Sequence, residues 1–449
     1  MAARERIEGS WGIEPVPERL RVLGTLDTSL LWGNLGVSLL VVAAGAVLVP
    51  ALSLRDALIA ILIGCVIGNT MLGIAGAIGA DARVPGMVLM RAPLGRRGSY
   101  LPTGVNVLQG LGWTIFELLI IATAAAALSD ELFGFRAQWL WTLVFGFVAL
   151  ILALLGPIGF VRRFVRRVAV WAVPIAVVYL TWWALDGADL GTLWDAPGEG
   201  GLTVWQGSDF VVAITVSWTT LAADYTRFST TRRAGGLGAG LGYFVPDTWL
   251  LGLGVLLVLS RDLSDPAALP AAVVAGGFAA ILALFALLVS ETDEAFANTY
   301  SAAVSLQNLV PRAPQALLIA LVATTATLGA LIIDFVSYQS FLLLLGSLFV
   351  PLFAVLLADW LAAGRHYSTE DVFGAPSWRP GLIAAWIAGF ALYQWLFPTG
   401  PSWWVDLVER LDPPAWSIGA TVPSFLVAFG LAGIVAVLSR RSAAGAAPA

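Results

Sequence analysis

The sequence predicts an all-α, polytopic membrane protein of twelve transmembrane helices, and three observations carry that expectation. Of its 449 residues, 59% are hydrophobic and only 12% are charged, whereas soluble folds carry about 25% charged residues. Apolar stretches of about 20 residues, the length that crosses the hydrocarbon core of a bilayer, recur along the whole chain. All 24 basic residues are arginine, and they fall almost entirely on alternate loops.

Taken in order, the apolar runs cover 28–50, 55–80, 101–128, 138–159, 168–185, 206–226, 243–260, 270–300, 314–333, 335–357, 380–398 and 416–438. A charged tail over 1–27 precedes them with no cleavable signal pattern, and a small polar tail over 439–449 follows. With the first tail placed in the cytoplasm, only Arg55, Arg136, Arg261 and Arg410 of the 24 fall on the far side. A wrong span count would scramble that alternation, so the arginines support twelve spans, both termini cytoplasmic and the inner (plasma) membrane as location. Loops are short, so 28–438 reads as one integral domain.

Composition also excludes chemistry. A single cysteine, Cys65, and a single histidine, His366, allow no disulfide framework, no cysteine-based metal site and no evident nucleophile, base and orienter set. The chain is therefore not expected to be an enzyme or to need a cofactor, and nothing in it suggests a nucleic-acid partner. Asp, Glu, Asn, Gln, Ser and Thr are left to carry function.

Two spans look interrupted. The first contains LLWGNLGVSLL, with Gly33, Asn34 and Gly36 where lipid-facing helices prefer bulk; the sixth contains VSWTTLAADYTRF. Breaks at positions one and six are what a five-plus-five inverted repeat produces, over about 28–185 and 206–357, with two extra helices at 380–438. Close helix packing through small residues is the alternative reading.

Ionisable groups inside spans are expensive and so point to a cavity. In the third span, Trp113 and Glu117 lie one turn apart on one face, after Asn106 and Gln109. An aromatic plate beside a carboxylate suits a flat, nitrogen-rich ring, and the arginines near span ends leave Glu117 without an evident partner. Trp218 in the sixth span offers a second plate. In the eighth, VSETDEAFANTYSAAVSLQN places Glu291, Glu294 and Asn298 on one face, with Thr292 and Asp293 on the next. The oxygens of Thr292 and Asp293 suit Na+; the carboxylates suit protons equally well. Glu291 and Glu294 read as either a buried hydrogen-bonded network or a relay.

With NVLQGLGWTIFE, ADYTRF, FANTYSAAVSLQNLVPR and FLLLLGSLFVPLFAVLLADW in order on spans three, six, eight and ten, the chain resembles the nucleobase:cation symporters of the cytosine/purine permease and allantoin/hydantoin transporter type. That resemblance implies a leucine-transporter-like fold and a secondary active transporter. The expected substrate is cytosine, a purine or an aminopyrimidine; allantoin, hydantoin or hydroxymethylpyrimidine is the alternative. It implies a substrate site of Trp113, Glu117, Trp218 and Asn298, with Asn34 and Val37 from the broken first span. Glu117 stands where the family commonly has glutamine. It implies a cation site near Gly33, Gly36, Val289, Thr292 and Asp293, with Na+ or H+ as coupling ion and an acid at Asp293 where a hydroxyl is usual. Asp224 and Arg227 are expected to hold a loop or inner gate. Gly346 and Pro351 are suited to a bending gate in span ten. The alternative from another class is a channel or a non-transporting membrane receptor.

Overall fold

The computed structural model describes residues 12–160, 170–261, 269–333 and 338–445; within these, the side chains of 157–160, 170–172, 269–270, 289–290, 293, 338–339 and 441–445 are not described. Apart from an isolated bridge between Leu23 and Ser229, the described residues are helical or irregular. Helices are the natural outcome, because a segment in lipid must satisfy its own backbone groups.

The main helices are α1 (Thr25–Leu35), α2 (Leu39–Ala46), α3 (Leu54–Ala82), α4 (Tyr100–Phe133), α5 (Gln138–Phe160), α6 (Val170–Leu185), α7 (Val204–Ser217), α8 (Ala222–Thr226), α9 (Arg232–Arg261), α10 (Phe278–Leu309), α11 (Gln315–Ala330), α12 (Tyr338–Ala362), α13 (Pro380–Leu396) and α14 (Thr421–Gly445). Among the described residues six helices are long and apolar enough to cross a membrane, or seven when α1 and α2 are taken as one bent span. Shorter apolar helices correspond to the expected fifth, ninth and eleventh spans. The expected seventh span begins eleven residues earlier than its apolar run, because α9 extends back to Arg232. The expected eighth is divided: a short helix, Leu269–Val274, precedes Gly277, whose φ of 90° starts α10.

Both interruptions read from the sequence are present. The first span bends by 58° between α1 and α2, and the sixth passes from α7 through a 3-10 turn at Trp218–Thr220 into α8. The glycines of the first span also serve close packing. A Cβ on Gly36 would lie 2.7 Å from Cγ of Pro246, and one on Gly33 would lie 3.2 Å from the Gly242 carbonyl oxygen. The break and tight helix contact are therefore not alternatives here, since the same small residues permit both.

Packing sorts the helices into two groups. α9 lies against α1, α2 and α3, and α7 lies against α3 and α12. On the other side α10 packs along α4 and against α5, α6 and α11. Gly110 lets α4 and α10 approach, since its Cβ would come within 2.9 Å of the Ala302 Cβ. α12 runs unbroken through Pro351, and Gly346 provides a close approach to Ala213 of α7.

Candidate functional site

The two breaks and the polar faces of α4 and α10 meet where the two helix groups adjoin. Ser38 is the first element. As the N-cap of α2, its hydroxyl accepts from the Leu40 N–H at 2.9 Å, the ordinary role of serine at a helix start. The same hydroxyl donates to Glu291 Oε1 of α10 at 2.8 Å, and the Leu39 N–H donates to Glu291 Oε2 at 2.7 Å. The carboxylate of the eighth span thus caps the half-helix created by the break. Its negative charge sits on the end where unpaired N–H groups concentrate positive potential.

Glu117 comes next, wholly buried on α4. Its reach extends to the carboxyl groups of Glu294 and Glu291. Among the described residues no N–H or hydroxyl donates to either of its oxygens, which face only those carboxyl groups, and Glu294 Oε1 likewise lacks such a donor. Among the described residues no arginine or histidine forms an ion pair with any of the three. Carboxylates this close repel unless a cation sits among them, and H+ and Na+ both meet that need.

Asn298 and Gln109 extend the same surface. Asn298 Nδ2 donates to the Glu294 carbonyl of its own helix at 3.2 Å, leaving Oδ1 buried and unpartnered. Gln109 Nε2 donates to the Ser217 carbonyl at 2.9 Å and to Thr220 Oγ1 at 3.0 Å. These bonds satisfy backbone and hydroxyl groups exactly at the break of the sixth span. Its Oε1 is a further buried acceptor without a donor. The site is consequently rich in acceptors that await N–H groups, each costing on the order of 1–3 kcal/mol while unpaired.

Aromatic rings close it. Trp113 meets Phe341 of α12 edge-on at 5.6 Å between centroids, and Phe341 also packs on Phe116 at 5.4 Å. Trp218 meets Trp32 of α1 edge-on at 5.8 Å and Tyr243 of α9 at 5.9 Å. Trp113, Glu117, Trp218 and Asn298 are 6%, 0%, 5% and 1% exposed, so all four side chains are buried.

Not every expected residue gathers here. Gly33, Asn34 and Val37 line a separate cavity of about 290 Å3 that α1 shares with α6 and α9. Gly36 faces Pro246 and Tyr243. Thr292 is buried on α10, whereas the side chains of Val289 and Asp293 lie outside the described residues. Among the described residues no group of three His, Cys, Asp or Glu side chains forms a metal-ligand set. Asp224 and Arg227 lie apart from the carboxylates. Arg227 is fully buried and donates to the Gly12 carbonyl at 2.7 Å and to the Tyr300 hydroxyl at 3.0 Å. Asp224 accepts from the Gly86 N–H at 2.9 Å. They clamp the N-terminal segment against α10 and the short helix Gly86–Leu89 against α8.

Sequence reasoning passed over Ser38, Trp32 and Phe341, and named Gln109 without giving it a role. Ser38 had a readable signal, a serine immediately before an apolar helix-length run. Gln109 shares the helical face of Trp113. For Trp32 and Phe341 nothing local distinguishes a site wall from ordinary core.

Comparison with known proteins agrees with this architecture. A hydantoin permease of Microbacterium maritypicum is 26% identical over 184 residues, 40% of this chain and 37% of that permease, so the aligned part spans well under half of the relative. The nucleobase-cation-symport-1 family transporter Mhp1, in a closed conformation with bromovinylhydantoin bound, superposes with a TM-score of 0.77 at 19% identity, covering 98% of this chain and 96% of that one. Mhp1 in its inward-facing conformation gives 0.72 at 20% identity, over 96% and 93%. These likenesses establish a shared helical fold. Residues 15–419 match the family described as permease for cytosine/purines, uracil, thiamine and allantoin, so this chain, a membrane transporter and not an enzyme, belongs to that family.

Proposed function

We propose that the protein imports a nitrogen heterocycle with a donor-rich edge, such as cytosine, a purine or an aminopyrimidine, by cation symport. The observation that carries this reading is the set of buried acceptors without donors, Glu117 and Asn298 above all, beside the indole of Trp113. A ring seated between Trp113 and Trp218 would bring N–H groups to those oxygens and use π faces for stacking. Its entry would also explain why such costly groups are kept unpaired in a membrane protein.

The coupling cation, Na+ or H+, is assigned to the neighbourhood of Glu291, Glu294 and Thr292, where α10 holds the start of α2. A cation there changes the charge balance that ties the broken first span to the eighth. Binding can drive transport only through different affinities in the two access states. In this reading the twelve-span arrangement comprises two inverted repeats, about 28–185 and 206–357, with both termini cytoplasmic. The group containing α3, α7 and α9 rocks against the group containing α4 and α10.

A second reading, hydantoin or allantoin as substrate, is favoured by the hydantoin permease and the bromovinylhydantoin-bound Mhp1 among the relatives. Uptake into proteoliposomes, competed by a panel of nucleobases, hydantoins and allantoin under separately imposed Na+ and pH gradients, tests both. Accumulation of none of them under either gradient would reject symport of this class.

A further inference from the structure

Away from the carboxylate site, α3 and α9 form an open groove of about 770 Å3 on the side of the molecule. Its floor is made of small residues: a Cβ on Gly73 would lie 3.1 Å from the Gly236 carbonyl oxygen and 3.5 Å from Gly240 Cα. With the backbones this close, flanking side chains stand out as walls, and Val66, Leu237 and Leu241 are 49%, 43% and 61% exposed. From Val66 to Ala77 the groove climbs about 16 Å at 1.5 Å per residue. That is about half of the ~30 Å hydrocarbon core, the depth of one leaflet.

The two ends differ in chemistry. Around Val66 the groove is mainly apolar, with the polar groups of Asn69 and Thr70 bonded to the Cys65 carbonyl, Asp247 and the Val66 carbonyl, while its other end carries Arg232, Arg233 and Arg365, with Trp360 beside them. Arg232 is engaged by Asp81. Arg233 and Arg365 are exposed, and among the described residues neither has an acidic partner. Arg232 and Arg233 also open α9, which has no acidic residue in its first turn. Positive side chains there add to the positive end of the helix, an unfavourable arrangement that an anion relieves. Indole and guanidinium groups at one end of a leaflet-deep apolar channel match the headgroup level of a bilayer.

We propose that this groove binds an anionic phospholipid, with an acyl chain along α3 and α9 and the phosphate held by Arg233 and Arg365. A zwitterionic lipid offers the same chains, but its own cation offsets the phosphate, so headgroup charge is what the arginines select. Free phosphate would satisfy the arginines and leave the apolar channel unused. The bound lipid bridges α3 and α9 to the end of α12, where Trp360 and Arg365 stand.

The test uses the full-length protein in detergent, following lipid adducts by native mass spectrometry and the thermal midpoint during titration with phosphatidylglycerol, phosphatidylcholine or inorganic phosphate. Phosphatidylglycerol is expected to be retained and to raise the midpoint, an effect that weakens as salt rises. The double variant Arg233→Gln/Arg365→Gln should keep the lipid-free midpoint and bind phosphatidylglycerol roughly 30-fold more weakly, which is about 2 kcal/mol. Leu241→Trp, which fills the channel without changing charge, should also displace the lipid. Equal stabilisation by phosphatidylcholine, equal stabilisation by inorganic phosphate, or undiminished binding in the double variant would overturn the proposal.

Discussion

Glu117→Gln is the sharpest probe of the substrate site. The side chain is wholly buried, its two oxygens lack donors, and its near polar neighbours are the carboxyl groups of Glu294 and Glu291. Glutamine preserves volume and one acceptor while replacing the second oxygen with an amide donor. A hydrogen bond contributes about 0.5–1.5 kcal/mol, so losing it from the bound substrate weakens affinity by roughly 2- to 13-fold. The assay is concentration-dependent uptake of the best heterocycle in proteoliposomes, with substrate-induced thermal stabilisation as a second readout independent of turnover. Glu131→Gln, an exposed carboxylate near the end of the same helix, is the control and should behave as wild type. Equal affinity in wild type and Glu117→Gln, by both readouts, would remove Glu117 from the substrate site.

Other residues give independent checks. Ser38→Ala removes the cap of α2 and the hydroxyl that holds Glu291, so the thermal midpoint should fall by an amount corresponding to about 1–2 kcal/mol, with an altered cation dependence of uptake; an unchanged midpoint would contradict the brace. Phe341→Ala uncovers Trp113 and Phe116, and should raise the reactivity of a cysteine placed at Gly112 toward a water-soluble thiol reagent; unchanged labelling would mean that Phe341 does not cover the site. Arg227→Met breaks the buried contacts with Gly12 and Tyr300, and proteolysis near the N-terminus should quicken, because about 3 kcal/mol or more of paired, buried polarity is lost. Identical digestion rates would show that the N-terminal segment is held by other contacts.

Much of this organisation is legible in one dimension. Lipid penalises any unsatisfied backbone, so long apolar runs become helices, and glycine-rich interruptions become breaks wherever a polar face adjoins them. Gly36 and the Trp218 stretch therefore marked both interruptions from composition alone. Helical spacing likewise put Glu291, Glu294 and Asn298 on one face, and Trp113 with Glu117 on another. What spacing could not supply was which faces meet. Gly33, Asn34 and Val37 belong to a stretch that reads like a ligand site, yet they line a cavity with α6 and α9, because Gly33 and Gly36 let α9 pack closely on that side.

Glu291 shows the division most clearly. The sequence by itself determined that a carboxylate stands two turns before Asn298 inside a span, and that such a group needs a partner or a purpose. Only the tertiary structure decided that its partner is the N-terminus of α2, more than 250 positions away in the chain. The physical reason is that local periodicity orients a side chain around its own helix axis, whereas its neighbours depend on how broken helices and close glycine contacts bring distant segments together.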